Sequence, residues 1–289
     1  MTTSELQIIT NGTVILHASE QIANTTNFTL DNSALLDLQT FATSETIANL
    51  SGSGTVDLGP GSVLTAGSAG NSTFSGVITG PGGLTKAAAG TLTLTGVNTF
   101  TGTMTVTGGT LLLGADDTLS TSASPGSTRE VTLSGGTLRA DGFSQGAATG
   151  ERLGTLTLTG NSTIQFTLGD SVQDLFFDDY DRTGGLLTIS NWQGFGGGSG
   201  TGGGLFFSTS ANFTASELAQ ISFTGFSQGA QLLAFNGNFN ELTPVPEPSA
   251  VMSAVGMLGL IGWRERHRKI SSGRKSRTEG PRDRSLAGL

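Results

Sequence analysis

The chain has no cysteine, two histidines, two tryptophans, one tyrosine and seven prolines in 289 residues, and Lys, Arg, Asp and Glu together make only 12% of it. Without cysteine there is no disulfide, no thiolate metal site and no thiol nucleophile. His17 and His267 lie near opposite ends of the chain, which rules against a His-based triad or a zinc site. The low charge argues against ordinary disorder, because disordered chains are usually highly charged and poor in apolar residues. Here 35% of residues are hydrophobic and 16 are Phe, enough to fill a core. Gly (45), Thr (43) and Ser (31) make 119 of the 289 residues. All three are poor in helix interiors, so the composition predicts an all-β, turn-rich chain.

The net charge of −8 conceals a split. Residues 1–263 carry 19 acids against five bases (Lys86, Arg129, Arg139, Arg152 and Arg182), and residues 264–289 carry nine bases against three acids. The acidic body repels nucleic acid at long range, so no nucleic-acid partner is expected. The basic tail follows an apolar segment, and a basic run in that place reads as a topology signal.

From about residue 7 to 236, short alternating strands are punctuated by Gly, Asn, Ser or Asp. Thr91-Leu92-Thr93-Leu94-Thr95, Met104-Thr105-Val106-Thr107, Val131-Thr132-Leu133 and Thr155-Leu156-Thr157-Leu158 alternate polar with apolar residues. That is the period of a strand with one buried face. Gly80-Pro81-Gly82-Gly83, Gly108-Gly109 and Gly135-Gly136 supply the turns. Val106-Thr107-Gly108-Gly109-Thr110-Leu111 is echoed further on by Leu133-Ser134-Gly135-Gly136-Thr137-Leu138. A repeat that cannot bury its own face must stack on its neighbours, so a solenoid is expected. At roughly 20 residues per coil the first 243 residues would make about a dozen rungs, a rod on the order of 55–60 Å.

Residues 71–115 hold the clearest repeat. They contain Gly82-Gly83-Leu84-Thr85-Lys86, then Gly90-Thr91-Leu92-Thr93-Leu94-Thr95-Gly96-Val97-Asn98-Thr99-Phe100-Thr101-Gly102, and end on a Gly109-Thr110-Leu111 strand. This stretch resembles the autotransporter-associated β-strand repeat, also called the passenger-associated transport repeat. Phe100 stands where Tyr is usual in that family, and Ala87-Ala88-Ala89 replaces Thr-Gly-Ala. Partial echoes follow at 129–142 and 152–168. The resemblance implies a right-handed parallel β-helix in a surface or secreted protein.

Residues 194–204 hold eight glycines in eleven positions and read as a flexible loop. Ser208 to Gln220 reads as a short capped helix with Thr214 or Ser216 as N-cap. Residues 244–269 then combine three parts: a proline-stiffened stem, the apolar stretch Ala250 to Trp263, and the basic cluster Arg264, Arg266, Arg268 and Lys269. Fourteen apolar residues make a helix of about 21 Å, short for a ~30 Å hydrocarbon core, yet flanking residues and bilayer thinning let it span. Pro246-Glu247-Pro248, a short apolar span and an Arg cluster, in that order, are similar to the PEP-CTERM sorting signal of Gram-negative bacteria. The resemblance implies that an exosortase-type membrane protease recognises Pro246, Glu247 and Pro248 and removes the span. The protein would be held transiently at the inner membrane and then released to the cell surface or an extracellular polysaccharide matrix. Residues 270–289 form a basic tail, expected to be disordered, longer than the family's usual ending. Residues 1–30 show no charged n-region followed by an apolar h-region, so the export signal is expected upstream.

A dense acidic cluster comprises Asp170, Asp174, Asp178, Asp179 and Asp181. Paired carboxylates can hydrolyse glycosides or hold calcium, but the spacing lacks a calcium-loop order and reads as the solvated edge of a turn. Lys86 falls at the repeat turn and is expected to be structural. The expectation is therefore an all-β parallel solenoid over 1–243, a sorting signal over 244–269 and a tail over 270–289. It is read as a non-enzymatic exported structural protein with no cofactor, no metal and no catalytic residue. A polysaccharide-binding or polysaccharide-cleaving β-helix is the alternative.

Overall fold

In the computed structural model, residues 6–119, 129–146, 150–168, 172–192, 203–227 and 229–246 are described. The N-terminal coils carry β1 (Leu6–Thr10), β2 (Thr13–Ile15), β3 (Asn27–Asp31), β4 (Leu35–Asp37), β5 (Glu45–Ile47), β6 (Asn49–Gly52), β7 (Thr55–Asp57), β8 (Val63–Ala66), β9 (Ser72–Phe74) and β10 (Val77–Thr79). The middle holds β11 (Gly83–Lys86), β12 (Thr91–Leu94), β13 (Met104–Val106), β14 (Thr110–Leu113), β15 (Val131–Ser134), β16 (Thr137–Ala140), β17 (Leu153–Gly160) and β18 (Ser162–Phe166). The last part holds β19 (Leu175–Arg182), β20 (Leu187–Ser190), β21 (Leu205–Ser208), α1 (Ala215–Leu218), β22 (Ile221–Phe223), β23 (Ala230–Ala234) and β24 (Phe239–Pro244).

These strands wind into a parallel β-solenoid of about eight turns. A first sheet stacks ten strands in the order β1-β3-β6-β9-β12-β14-β16-β18-β20-β22, and a third stacks β5-β8-β11-β13-β15-β17-β19-β21 before β24 and β23 close it. A second sheet has only four strands, β2-β4-β7-β10. The expected dozen rungs are not reached, because the coils lengthen along the chain. In the first sheet Thr91 lies opposite Thr110, Thr110 opposite Thr137 and Leu187 opposite Ile221, so the step from rung to rung widens toward the C-terminus. The ten stacked strands of the first sheet span about 43 Å, shorter than the expected rod.

Alternation does what the sequence predicts. Leu92, Leu111, Leu138, Ile164 and Ile189 stand in one inward file of the first sheet, each essentially without exposure. The sequence echo is also a register: Val106 faces Leu133 and Leu111 faces Leu138. Glycine packs the corners. A Cβ on Gly76 would lie 1.9 Å from the Gly54 carbonyl oxygen, and one on Gly96 would lie 2.0 Å from that of Gly76. Backbones there are in direct contact from rung to rung, which no other residue permits.

Beyond β10 the second sheet gives way to side-chain amides. Asn98 is fully buried; its Oδ1 accepts from the Ile78 N–H at 2.8 Å, and its Nδ2 donates to the Gly96 and Thr118 carbonyls at 2.9 Å. Two rungs on, past Leu119, Gln145, also fully buried, accepts from the Leu119 N–H at 2.9 Å and donates to the Ala115 and Ser144 carbonyls at 2.9 Å. Each amide satisfies the backbone groups that a strand ladder would have paired.

The C-terminal end of the solenoid is closed. Thr214 is the N-cap of α1, in a capping box with Glu217, and Phe213 and Leu218 pack against the core. β24 lies antiparallel between β21 and β23. The chain divides after Val245 into one unit of residues 1–245 and a second of residues 246–289.

Candidate functional site

The proposed sorting motif begins where the folded unit stops. Phe239, Glu241, Leu242, Thr243 and Pro244 of β24 are buried. The Val245 N–H donates to the Gly229 carbonyl at 2.9 Å, and Pro246 is exposed. Glu247, Pro248, the apolar stretch 250–263, the cluster Arg264, Arg266, Arg268 and Lys269, and the tail 270–289 lie outside the described residues, as does most of the 194–204 loop. No helix among the described residues is long and apolar enough to cross a membrane.

Lys86, Arg129, Arg152 and Arg182 of the solenoid donate to backbone carbonyls, and Arg139 pairs with Asp141. Lys86 occupies a core-side register position between Ala66 and Val106 and is 2% exposed. Its Nζ turns back to donate to the carbonyls of Ala87, of Ala88 at 2.8 Å and of Gly108 at 3.4 Å. Burial holds its pKa below the ordinary lysine value. Arg129, also 2% exposed, lies 3.7 Å above the Phe100 ring, and its guanidinium donates to the carbonyls of Asn98 and Phe100. Burial pushes it down to about 9. Arg152 pairs with Asp178 at 2.8 Å.

Asp178, Asp179 and Asp181 of the acidic cluster lie along strand β19, not on a turn, and Asp174 just precedes that strand. Leu175, Phe176, Phe177 and Tyr180 are buried and draw the segment into β19, which separates the carboxylates. Asp178 binds Arg152, and Asp179 accepts from the N–H groups of Tyr180 at 2.9 Å and Asn212 at 3.2 Å. Asp181 is exposed. Asp174 accepts from the Gly204 N–H at 3.1 Å, and burial raises its pKa to about 6. Asp170 is outside the described residues. No group of three or more metal-ligating side chains converges among the described residues. Asp174, Asp178 and Asp179 thus each serve a separate local partner.

What the sequence did not display is the alignment of hydroxyls. On the outer face of the third sheet Thr46, Thr65, Thr85, Thr105, Thr132 and Thr157 follow one another in register, ending at Asp181. On the first sheet Thr91, Thr110, Thr137, Thr163, Thr188 and Ser222 do the same. Each column repeats a hydroxyl every ~4.8 Å, and each hydroxyl can donate and accept. The available signal was a central Thr in strand after strand, but unequal coil lengths hide which threonines meet.

A family model described as the passenger-associated-transport-repeat matches residues 84–113, the stretch from β11 to β14. No curated protein and no solved structure matches the chain. The matched segment contains Lys86 with its three carbonyls, the Asn98 amide and the buried Phe100 ring, so the repeat's polar positions are occupied by groups that join one coil to the next. The repeat and the parallel solenoid together fit an exported, passenger-like β-helix.

Proposed function

We propose that this chain is a non-enzymatic exported structural protein, sorted to the cell surface or to an extracellular polysaccharide matrix. Its mechanism is mechanical and topological. The stacked backbone ladders form the rod, and Pro246-Glu247-Pro248 with the apolar stretch 250–263 and the basic cluster 264–269 hold it at the inner membrane until an exosortase-type protease cuts it free. The observation that carries this reading is the placement of the motif: the last buried strand ends at Pro244 and the chain is exposed at Pro246, so removal of everything downstream leaves the solenoid whole.

C-terminal peptide mapping of the protein recovered from its host's surface or medium tests it. Loss of the chain beyond the Pro246 region is expected. A protein ending intact at Leu289 and fractionating with membranes would overturn sorting by cleavage.

The hydroxyl columns favour a second reading, that the rod binds polysaccharide along its outer faces. Co-sedimentation with the host's own matrix polysaccharide, compared between the parent and a Thr85→Val, Thr105→Val, Thr132→Val triple variant, separates binding from inert presence. Cleavage of an acidic polysaccharide that is abolished in Asp178→Ala would instead make the protein an enzyme.

A further inference from the structure

Seven of the thirteen asparagines in the chain are followed two residues on by Ser or Thr, where a Ser and Thr content of 74 in 289 would give about three. Asn-x-Ser/Thr without an intervening Pro is the acceptor pattern for N-linked sugars, and its use requires an exposed asparagine. The fold sorts these positions. Asn27 and Asn49 are half-buried at the starts of β3 and β6, and the Asn49 Nδ2 donates to the Asn27 Oδ1 at 2.6 Å, so this pair joins neighbouring coils. Asn212 is exposed, but the Thr214 hydroxyl of its pattern is committed to the capping box of α1.

Asn71 and Asn161 are different. Each opens the same tripeptide, Asn-Ser-Thr, at a corner where the chain enters the first sheet, one residue ahead of β9 and of β18. Both are exposed. The Asn71 Oδ1 accepts the Thr91 N–H at 2.9 Å, and the Asn161 Oδ1 accepts the Leu186 N–H at 2.9 Å, in each case from the following coil. That bond turns the oxygen of the amide to the rod, and no described group accepts from either Nδ2. Thr73 and Thr163 follow on the outer face, with no hydrogen bond taking up either hydroxyl.

We infer that Asn71 and Asn161 are N-glycosylation sites, taking a sugar from a donor activated as its 1-diphosphate. Under a glycosyltransferase the Nδ2 displaces the diphosphate from the sugar C1. A C1–N bond forms, the C1–O bond breaks, the diphosphate leaves with its electron pair, and one Nδ2 proton passes to a base of the transferase. The product is still an amide whose Oδ1 accepts, so the bonds to the Thr91 and Leu186 N–H groups survive and neither corner has to rearrange. β9 and β18 are four strand spacings apart in the first sheet, so the two sugars stand about 19 Å apart along the rod.

Mass spectrometry of the protein recovered from its own host, digested so that Asn49 and Asn71 fall in separate peptides, tests this. Sugar mass is expected on the peptides of Asn71 and Asn161 and not on those of Asn27 and Asn49. A single sugar at each site would mark a nucleotide-linked donor, and an oligosaccharide of fixed size a lipid-linked one. Thr73→Val removes the hydroxyl of the pattern while leaving the Asn71 bond to Thr91 in place. It is expected to lose the sugar at Asn71 and keep that at Asn161, with unchanged circular dichroism, whereas Thr73→Ser keeps both. Bare Asn71 and Asn161 in the parent overturn the inference. So does a sugar on Asn71 that persists in Thr73→Val, or sugar spread equally over Asn27 and Asn49. These peptides are read apart from the C-terminal ones, so failure here is distinct from failure of cleavage near Pro246.

Discussion

Ala88 holds φ at 56°, in the left-handed region that costs an L-residue roughly 1–2 kcal/mol. It stands in the turn where the resembling family has Gly, and its carbonyl is one of the three that receive the Lys86 Nζ. Ala88→Gly keeps that carbonyl and removes the strain, while adding some freedom to the unfolded chain. The net expectation is a gain of about 0.5–1 kcal/mol in urea unfolding; a loss would mean that the turn does not hold this conformation. Asp174 is the second residue with a measurable consequence. Its folded pKa of about 6 lies above the ordinary value of 3.8, because burial disfavours the carboxylate. The native state therefore holds this proton more tightly than the unfolded chain. The stabilising contribution is full below about pH 4 and is lost as pH rises through about 6. Asp174→Asn keeps the acceptor for the Gly204 N–H without the charge. The variant is expected to exceed the parent at pH 7 by an amount on the order of 2 kcal/mol and to match it near pH 4. Parallel stability curves for the two proteins would contradict this account. Lys86 was legible as a structural residue from its place in the repeat, whereas the buried Asp174 was not, because only the fold shows that Gly204 comes against it.

At the scale of elements, the strands were legible and their neighbours were only partly so. Thr-Leu alternation over 91–95 and 155–158 marked β12 and β17 because each inward residue needs a buried partner. The echo of Val106–Leu111 in Leu133–Leu138 gave the true register of β13 with β15. The acidic segment 175–181 misled because its carboxylates outweigh, by eye, the four apolar residues that place it in β19. The loss of the second sheet was not legible at all. A strand replaced by a buried amide leaves no periodic pattern, only an Asn or Gln among polar neighbours. Asn98 supplies the test of that substitution. Asn98→Ala leaves the Ile78 N–H buried without its partner and removes both Nδ2 bonds, so a loss of about 2–4 kcal/mol is expected in denaturant titration. The side chain is inaccessible, and water cannot take its place without opening the corner. A loss below about 1 kcal/mol would show that the neighbouring rungs close without it.

At the scale of the whole solenoid, each rung contacts chiefly the rungs before and after it, so local openings need not unfold the rest. What matters for release is whether the chain just ahead of Pro246 can open alone. β24 is paired along Phe239–Glu241 with β21 on one side and along Asn240–Pro244 with β23 on the other. Phe239 also packs edge-on to Phe176 at 4.9 Å, within a cluster that includes Phe206. A protease needs several residues of extended, unpaired chain, and freeing them upstream of Val245 means breaking both ladders and exposing that cluster. Downstream of Val245 no such cost arises from the described unit. Limited digestion of the native chain with a protease of broad specificity is therefore expected to leave resistant material whose C-terminal limit lies at Val245 or beyond, as read by mass spectrometry. Leu242→Ala removes a fully buried side chain from the β24 file, at a cost of roughly 2–5 kcal/mol to that local unit, and should move the limit upstream into β24 while the middle rungs stay resistant. If native digestion already ends inside β24, the cap is too weak to define where the mature protein stops, and the motif's position at the edge of the fold has no mechanical meaning.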